Sequence, residues 1–592
     1  MSSAILHDDQ EFFIPIHGFV SLTEREVRIV NHPAFQRLAG MLQLGHSNLV
    51  FRGATHTRFE HSIGCVHVTQ QIVDAINSNH DRIRRKLQKH GEKDLPLLPL
   101  DKPLNDSELA FVRLAALTHD LGHLPFGHTL EDELVLLEKH DSTSRFCEVL
   151  DRTSWKGTSV VTLRKIIDEE YRSLLSPPDT GISPSILLSS IVCKDSAETS
   201  LTSKSFRLEV VRDIVGNTIC ADLLDYLYRD WFHVGKPIYV DYRLFQYFEI
   251  RFNIHTSKSS FCVALGSRPK IRTDAVSSIL DLLELRYRLS ESVLYHRTKC
   301  SAAACLERGL VELFGLDKLE KNSDLQTQLS ELKTKLLDMN DGTFLDSVYS
   351  SAKREKIYAG ILPLEALAVG RPFKELFTLY RSDMDQEERD RVSNLYFRSE
   401  DKSLIPVEGR QVSDQCINRI NAMRLLEQDF ELKPGSLVMY VPSTGMGFKL
   451  AEVNIRVDDV IENFYNWEKR SGNELSGGHL DAQESRFSNL WRMHVFIDRM
   501  AFEELKLRNR LDVIREAIRS HVLGIRNESN FDSKTFSIAR KLATDLTQDV
   551  RQLELIQKEV LLANSGSPDL IELKYPTGAP VISGYVNHLR KK

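Results

Sequence analysis

The chain has 592 residues, of which 42% are hydrophobic and 27% are charged, and its formal net charge is −6. This composition is typical of a globular protein with several domains, or with one large domain and an attached lobe. The nearly balanced charge gives no support to a surface that coats nucleic acid. The eight cysteines are scattered without a CxxC pair, which indicates thiols of a reducing compartment and excludes a disulfide-rich scaffold.

The first residues, MSSAILHDDQEFF, lack the basic region and the continuous apolar run of a secretory signal. Stretches of about 18 apolar residues are absent from the sequence, which predicts that no helix spans a membrane. A soluble cytoplasmic protein without a membrane partner is therefore expected.

Helical periodicity dominates the region from 20 to 320. The segment VRLAALTHDLGH predicts a helix over 110–123 that ends near Gly122 and Pro125. A second amphipathic helix is predicted over 277–297, where apolar residues recur at spacings of three and four.

Other stretches of this region differ from the helical pattern. The polar, proline-bearing segments 80–107 and 175–185 predict exposed excursions. The segment 254–274 has the pattern of short strands.

The C-terminal third predicts a mixture of strands and helices. Strand runs joined by glycine-bearing turns occupy 434–457, and an alternating strand is predicted over 490–500. A long charged amphipathic helix follows over 501–523. We therefore predict a mainly α fold in three parts: a helical core over 10–315, a helical extension over 316–404 and a C-terminal α+β lobe over 405–592.

The segment LTHDLGHLPFGH, residues 117–128, brings three histidines and an aspartate close together. On a helix His119 and His123 share one face, and Asp120 reaches the same point if the helix ends there. One imidazole nitrogen and one carboxylate suit a divalent ion such as Mn, Fe, Mg or Zn. Two ligands are too few, so another histidine upstream and another carboxylate downstream are expected.

Several residues compete for these two remaining ligand positions. The upstream candidates are His56 and His61 in GATHTRFEHSIG. The downstream candidates are Asp222, Asp225 and Asp230, which fall on successive turns of an otherwise apolar helix, where a buried acid needs a partner or a metal. Taken singly, each of these residues is more often an ordinary polar contact.

A zinc-protease motif is the rival interpretation of HDLGH. It differs from HExxH by one methylene group, but Asp120 is shorter than the glutamate that acts as a base there. Gly122 and Pro125 also end the helix too early for that motif. The pattern therefore disfavours a metalloprotease.

Several segments in order resemble the HD-domain deoxynucleoside triphosphate (dNTP) triphosphohydrolases, the group that includes the vertebrate SAM- and HD-domain dNTPase and bacterial dGTPase-like enzymes. A looser match continues through RYRLSESVLYHR, and the similarity beyond it is faint. Because the match begins near residue 14, no SAM domain is expected before it. The matching segments are IPIHGFVSLTEREVRIVNHPAFQRLAGMLQLG (14–45), VFRGATHTRFEHSIG (50–64), LAALTHDLGHLPFGHTLE (114–131) and DLLDYLYRD (222–230).

The resemblance implies an HD-domain helical phosphohydrolase core and a divalent metal ion. It implies that the ion is held by His61, His119, Asp120 and Asp222. His61 is thereby preferred to His56 as the upstream ligand.

The resemblance also implies a catalytic group. His140 matches the catalytic histidine, and Glu131 matches the acid beside it. His123 and His128 match pocket histidines that hold the α-phosphate region. A histidine paired with a carboxylate can protonate a leaving oxygen near neutral pH.

A substrate pocket for a dNTP is implied as well. Gln43 and Leu44 match residues on the sugar 3′ side, and Arg58 matches an arginine that contacts phosphate. The far wall is the loosest part of the match. The implied substrate-binding residues are Gln43, Leu44, Arg58, Tyr226, Asp230, Arg288 and Tyr295.

The implied reaction converts a dNTP and water into a deoxynucleoside and inorganic triphosphate, with a guanine preference and a role in dNTP-pool control or antiviral defence as further expectations. The family also implies a homo-oligomer, dimer or tetramer, and an activating or allosteric nucleotide. The C-terminal lobe is a candidate site for a protein partner. The alternatives are an HD phosphohydrolase that acts on another nucleotide or a nucleic-acid end, and a nucleotide-sensing scaffold.

The sequence departs from the family in the segment before IHG, which carries Glu11 and Phe13, and at two further places. Asn31 and Ala39 stand where the vertebrate activator site has an aspartate and an arginine, and only Gln36 is kept, so GTP activation at that site is not expected. A different nucleotide, or none, would then activate the protein. Leu223 replaces the lysine next to the metal aspartate, which removes one cation from the triphosphate pocket.

A small basic patch is a candidate for another nucleotide site, although a solvated turn explains it equally well. It consists of Arg268, Lys270 and Arg272.

Overall fold

The structure is a computed structural model. Residues up to Gly524 belong to one compact unit, Met1–Gly524, and residues 525–592 lie outside the described part of the chain. The described residues are 10–90, 102–133, 139–175, 181–193, 195, 206–238, 241–253, 257–267, 270–315, 335–396, 414–442, 453–458, 460–472 and 475–524.

The first part of the chain is mostly helical, with two short hairpins. Its elements are β1 (Gln10–Ile14), β2 (Gly18–Leu22), α1 (Glu24–Val30), α2 (Pro33–Gln36), α3 (Arg58–His90), α4 (Asp106–Thr118), α5 (Thr143–Asp151), β3 (Ser154–Trp155), β4 (Thr158–Ser159), α6 (Leu163–Tyr171), α7 (Pro184–Val192), α8 (Leu208–Gly216) and α9 (Ala221–His233). The long helix α3 packs against both α4 and α9, and these three helices carry the candidate site.

Strands and helices alternate in the remainder. The elements are β5 (Phe248–Asn253), β6 (Lys258–Ser267), β7 (Lys270–Ile271), α10 (Thr273–Leu289), α11 (Arg297–Phe314), α12 (Asp341–Arg354), α13 (Tyr358–Ala368), β8 (Lys374–Tyr380), α14 (Gln386–Tyr396), α15 (Asp414–Asp429), β9 (Leu437–Tyr440), β10 (Asn454–Val457), β11 (Val460–Asn463), α16 (Phe464–Arg470), α17 (His479–Ser488), β12 (Arg492–Ile497), α18 (Arg499–Leu507) and α19 (Leu511–Leu523). The prediction of a mainly α fold with an α+β C-terminal region is confirmed.

Two sheets join segments that are distant in sequence. In one sheet the strand order is β11-β10-β6-β5, with β10 parallel to β6 and Ile455 opposite Val263. In the other sheet β12 lies between β8 and β9, with His494 opposite both Thr378 and Tyr440. These strand pairs connect residues on different sides of the predicted domain boundaries at 315–316 and 404–405. The division of the chain into three parts therefore stays a prediction.

The helix that precedes the HD pair is a buried one. It begins with a capping box, in which Asn105 accepts from the backbone N–H of Glu108 and Glu108 accepts from that of Asn105. The residues from Phe111 to Thr118 are all buried, so this helix packs on every side.

The end of this helix differs from the sequence prediction. The helix was expected to continue to residue 123, but α4 ends at Thr118 and short turns follow. Arg37 is one reason, because its guanidinium donates to the carbonyl oxygens of Leu121 and His123 and takes them out of any helical pattern. Gly122 follows this end, and an added Cβ there would overlap the carbonyl oxygen of His140, so the position has no room for a side chain.

Three other local predictions were wrong. The region 316–404 contains the strand β8, which pairs with β12. The single helix over 501–523 is broken into α18 and α19 at Asn509, whose φ of 54° is left-handed. The excursion over 80–107 begins later than expected, because α3 continues to His90, and residues 91–101 lie outside the described part.

Two predictions from composition, free thiols and no membrane-spanning helix, can be compared with the structure. All eight cysteines lie in the described ranges and are thiols rather than disulfides, and all of them except the half-buried Cys147 are buried. Within the described ranges, no helix has both the length and the apolar character needed to cross a membrane.

Candidate metal centre and active site

Three helices bring two histidines and an aspartate to one point. His61 lies in the first turn of α3, His119 follows the last residue of α4, and Asp222 lies in the first turn of α9. Nε2 of His61 is 3.2 Å from Nε2 of His119 and 3.2 Å from Oδ1 of Asp222. Nε2 of His119 is 3.7 Å from the same carboxylate oxygen.

Asp120 borders this point from the side of Arg58. Its Oδ1 is 3.5 Å from Nε2 of His119, and its Oδ2 is 3.9 Å from Nε2 of His61. Nη1 of Arg58 donates to Oδ2 of Asp120 at 2.8 Å. Burial alone would raise the pKa of Asp120, but Arg58, His119 and His123 hold it well below its usual value. Asp120 is therefore a carboxylate.

The donor set fits a divalent ion. Around an ion with ligand distances of about 2.1 Å, neighbouring ligand atoms lie about 3 Å apart, close to the separations between His61, His119 and Asp222. Burial alone lowers the pKa of His61, yet hydrogen bonds with Asp222 and Asp225 raise it well above its usual value, so the centre attracts positive charge. Asp222 keeps 37% of its side chain exposed, which leaves the centre open to a ligand from solvent.

Cys65 belongs to the same group of candidate ligands by distance. Without a metal, burial raises the pKa of this thiol well above its usual value and favours its protonated form. The four ligands that the resemblance implies supply nitrogen and oxygen donors, which suit Mn, Fe, Mg or Zn.

A carboxylate behind His61 fixes the orientation of its ring. Nδ1 of His61 donates to Oδ2 of Asp225 at 2.8 Å, which leaves the lone pair of Nε2 for the metal. Asp225 also accepts from Nε2 of His17 at 2.6 Å and from the guanidinium of Arg229 at 2.8 Å. The sequence left Asp222, Asp225 and Asp230 open as ligands, and it offered no sign that Asp225 serves His61 from behind.

A second histidine cluster lies beside Asp120. Nδ1 of His140 is 2.8 Å from Oε2 of the buried Glu131, and the rings of His123 and His140 stack at 3.6 Å. Nε2 of His123 is 3.3 Å from Oδ1 of Asp120, which connects this cluster to the metal centre. His128 is exposed, and its ring lies 5.3 Å from that of His140.

The charges in this cluster are well defined. Burial opposes both charges of the His140–Glu131 pair, but mutual attraction raises the pKa of His140 and holds that of Glu131 well below its usual value. Burial, Arg58 and His140 lower the pKa of His123 to about 4, so this ring is neutral. The surroundings thus favour the charged form of His140 and the neutral form of His123, although the two rings are in contact.

Two implied substrate residues lie on a loop that borders the start of α3. The backbone N–H of Gln43 donates to the carbonyl of His56 at 3.0 Å, and Leu44 is buried. Oε1 of Gln43 is buried without a hydrogen-bond partner among the described residues, which makes it available to a ligand hydroxyl.

Two more implied substrate residues follow Asp222 on α9. Tyr226 is half-buried one turn after it, and Asp230 is buried two turns after it. Nε2 of His56 donates to Oδ1 of Asp230 at 2.8 Å. His56, which the resemblance does not select as a metal ligand, thus forms a hydrogen bond with the predicted substrate residue Asp230.

The residues of the predicted far wall of the pocket, Arg288 and Tyr295, have contacts of their own. Arg288 is exposed and donates to Glu284 at 2.8 Å. Tyr295 lines a small cavity together with Tyr440 and His494 of the C-terminal sheet. Their substrate roles stay predictions.

The structure also shows the surroundings of Leu223 and of part of the basic patch. Leu223, which replaces a lysine, is buried in the core. Arg272 is held by Asp274 and Tyr247, and Arg268 lies outside the described residues, so the basic patch stays a prediction.

Arg37 is a residue of this region that the sequence did not predict. Its buried guanidinium donates to the carbonyl of His123 at 2.7 Å and to that of Leu121, and so holds the loop after the HD pair. Burial and the nearby Arg145 and Arg152 lower the pKa of Arg37 to about 9. Its sequence neighbours were compared with the family, but a buried arginine bonded to distant carbonyls leaves no local pattern.

Comparisons with known proteins agree with this geometry. No protein-family model matches the chain. The human deoxynucleoside triphosphate triphosphohydrolase SAMHD1 is 27% identical over 362 residues, which are 58% of this chain and 51% of that protein. The Xenopus laevis SAMHD1 is 30% identical over 298 residues, 48% of this chain and 42% of that protein. The chain thus spans about half the length of these curated relatives.

Two further similarities extend the comparison. An HD-domain-containing protein of Acanthamoeba polyphaga mimivirus is 36% identical over 157 residues, 26% of this chain and 31% of that protein. The crystal structure of a hypothetical protein from Aquifex aeolicus covers 86% of this chain and 99% of its own, with a TM-score of 0.50 and 19% identity, and supports the fold alone. These similarities, together with the meeting of His61, His119 and Asp222 beside Asp120, support a relationship of this chain to the HD-domain deoxynucleoside triphosphate triphosphohydrolases.

Proposed function

We propose that the protein is a metal-dependent dNTP triphosphohydrolase. The observation that supports this most directly is the meeting of His61, His119 and Asp222 within 3.7 Å of one another, beside the charged His140–Glu131 pair. Water attacks the α-phosphorus, the bond from that phosphorus to the 5′-oxygen breaks, and the products are a deoxynucleoside and inorganic triphosphate.

The metal would be held by His61, His119, Asp120 and Asp222. A divalent ion supplies Lewis acidity toward a phosphoryl oxygen when it is bound. The open edge of Asp222 leaves space for the substrate at this centre.

The side chains around the centre each have a distinct task in the proposal. Arg58 offsets phosphate charge next to Asp120, as phosphoryl transfer requires. The imidazolium of His140 gives its Nε2 proton to the departing 5′-oxygen, and Glu131 stabilises the charged ring before that transfer. Gln43, Tyr226 and Asp230 bind the sugar, and packing of Tyr226 against it excludes a 2′-hydroxyl.

Product analysis tests the reaction. The purified protein is incubated with Mn²⁺ or Mg²⁺ and each dNTP, singly and in pairs, and nucleosides are separated from nucleotides by chromatography. We expect deoxynucleoside and triphosphate in equal amounts, and no product from a His61→Ala variant. Nucleoside monophosphate as the product, or no hydrolysis of any dNTP by metal-loaded protein, would refute the proposal and favour another phosphorylated substrate or a sensing scaffold.

The finer parts of the proposal are a guanine preference, activation by a second nucleotide and a homo-oligomer that nucleotides stabilise. Faster turnover of dGTP than of the other dNTPs supports the first, and turnover that appears only in pairs supports the second. Size exclusion with and without dNTP tests the third. Elution at the monomer mass under every condition would contradict it.

A further inference from the structure

A carboxylate outside the metal centre joins two loops that border it. Asp341 is the first residue of α12, and its side chain is only 7% exposed. Its Oδ2 accepts from the backbone N–H of Leu42 at 2.9 Å, and its Oδ1 accepts from that of Phe126 at 2.7 Å. One side chain therefore connects the 41–45 loop with the 124–128 loop.

Both loops contact Arg58. The backbone N–H of Arg58 donates to the carbonyl of Met41 in the first loop at 3.0 Å. In the second loop Gly127 lies so close that an added Cβ would be 2.7 Å from Nη2 of Arg58. The arginine that donates to Asp120 thus lies between the two loops that Asp341 connects.

The second loop needs such an anchor because its backbone is unusual. Phe126 has a φ of 60° and Gly127 has a φ of 53°, and the left-handed region is unfavourable for a bulky residue such as phenylalanine. The ring of His46 stacks flat on Phe126 at 4.3 Å, and Phe344 of α12 meets its edge at 6.2 Å. The hydrogen bond to Asp341 secures the backbone of the same residue.

A carboxylate is the side chain that suits this position. Two separate N–H groups need two acceptor oxygens, and aspartate offers both, whereas asparagine offers one. Burial raises the pKa of Asp341, and the hydrogen bonds from the N–H groups of Phe126 and Leu42 partly offset that rise.

We propose that Asp341 is a positioning residue for Arg58: by holding the 41–45 and 124–128 loops together, it fixes the space in which the guanidinium meets Asp120 and the phosphate. The effect on turnover rests on the proposed function, while the effect on the two loops does not. The segment 335–354, which lies beyond the predicted core, would then support the active site.

The test compares Asp341→Asn with Asp346→Asn, an exposed aspartate on the same helix. Hydrogen exchange followed by mass spectrometry reports on both loops, and metal content, KM and kcat are measured in parallel. For Asp341→Asn we expect exchange at least 10-fold faster in both loops, unchanged metal content, and a loss of about 10- to 100-fold in kcat/KM that comes mainly from KM. The Asp346→Asn variant should match the wild type in every measurement.

A double variant separates positioning from a general structural effect. If Asp341 acts through Arg58, Asp341→Asn should cause a smaller further loss in an Arg58→Lys background than in the wild type. Asp341→Glu keeps both acceptor oxygens and should fall between the wild type and Asp341→Asn, and it replaces Asp341→Asn if that variant does not fold. Faster hydrogen exchange confined to α12 would overturn the inference. So would an equal loss of kcat/KM from Asp341→Asn in the wild type and in the Arg58→Lys background. Absence of dNTP hydrolysis by the wild type would refute the proposed function alone, because the exchange measurement would still decide about Asp341.

Discussion

The imidazole rings of His123 and His140 stack 3.6 Å apart, yet their pKa values shift in opposite directions. Glu131 favours the charged form of His140 after burial has opposed it, whereas burial and Arg58 favour the neutral form of His123. Two adjacent groups with separated protonation states are typical of acid–base catalysis. In the proposed reaction His140 would be the proton donor, and His123 would be a neutral hydrogen-bonding group.

Replacement of His140 by alanine should reduce kcat by roughly 10² to 10⁴, the usual contribution of a general acid. The metal should remain, because none of the four implied ligands is changed. Steady-state rates and metal content check both statements. His479→Ala, at an exposed histidine in the C-terminal part, is the matched control and should behave like the wild type. An unchanged rate in His140→Ala would remove this residue from the mechanism.

Replacement of Asp222 by alanine should abolish both metal retention and hydrolysis. Its Oδ1 contacts the ring nitrogens of His61 and His119, so its removal opens the centre on one side. Metal content after dialysis and turnover with added Mn²⁺ are the measurements. Asp390→Ala, at an exposed aspartate of α14, should retain both properties. Turnover that survives in Asp222→Ala would refute the metal assignment.

Replacement of Asp225 by asparagine should weaken metal binding by roughly 10- to 100-fold, as is usual when a carboxylate behind a ligating histidine is lost. Asparagine cannot supply two carboxylate oxygens to His61, His17 and Arg229. Titration with Mn²⁺ gives the dissociation constant, and activity should recover at saturating metal. Equal metal affinity in the wild type and the variant would contradict an orienting role for Asp225.

Replacement of Asp213 by asparagine should change how stability depends on pH. Burial raises the pKa of Asp213 to about 7, partly offset by a hydrogen bond from Asn217. In the unfolded chain the pKa is about 3.9, so the folded state binds the proton more tightly. Asp213 therefore lowers the free energy of unfolding as pH rises from about 4 to about 7.

The Asp213→Asn variant lacks this loss. Its Tm relative to the wild type should increase between pH 5 and pH 8. Asp346→Asn should show no such trend. A difference in Tm that is equal at both pH values would show that Asp213 does not titrate in this range.

The sequence identified residues that lie in short segments with a characteristic order. His119 and Asp120 are adjacent, and their partners His61 and Asp222 lie in segments that match the family. Residues that support the site from a distance were missed, because their roles depend on tertiary contacts. Asp341 bonds to Leu42 and Phe126, and neither contact leaves a periodic pattern in the sequence.

The same reason explains the errors in the secondary structure. The end of α4 at Thr118 depends on Arg37, which lies far away in the sequence. Strand β8 depends on its pairing with β12, because it lies among helical segments. Local propensity alone does not contain either contact.

The parallel pairing of β10 with β6 has a consequence for any shortened form of the chain. A fragment that ended at residue 404 would lose β10 and leave Val263 and Ala264 of β6 as an uncovered strand edge. Such an edge of unpaired backbone groups is a template for intermolecular association. Fragments cut there should aggregate, and soluble ones should extend at least through Asn463, the end of β11.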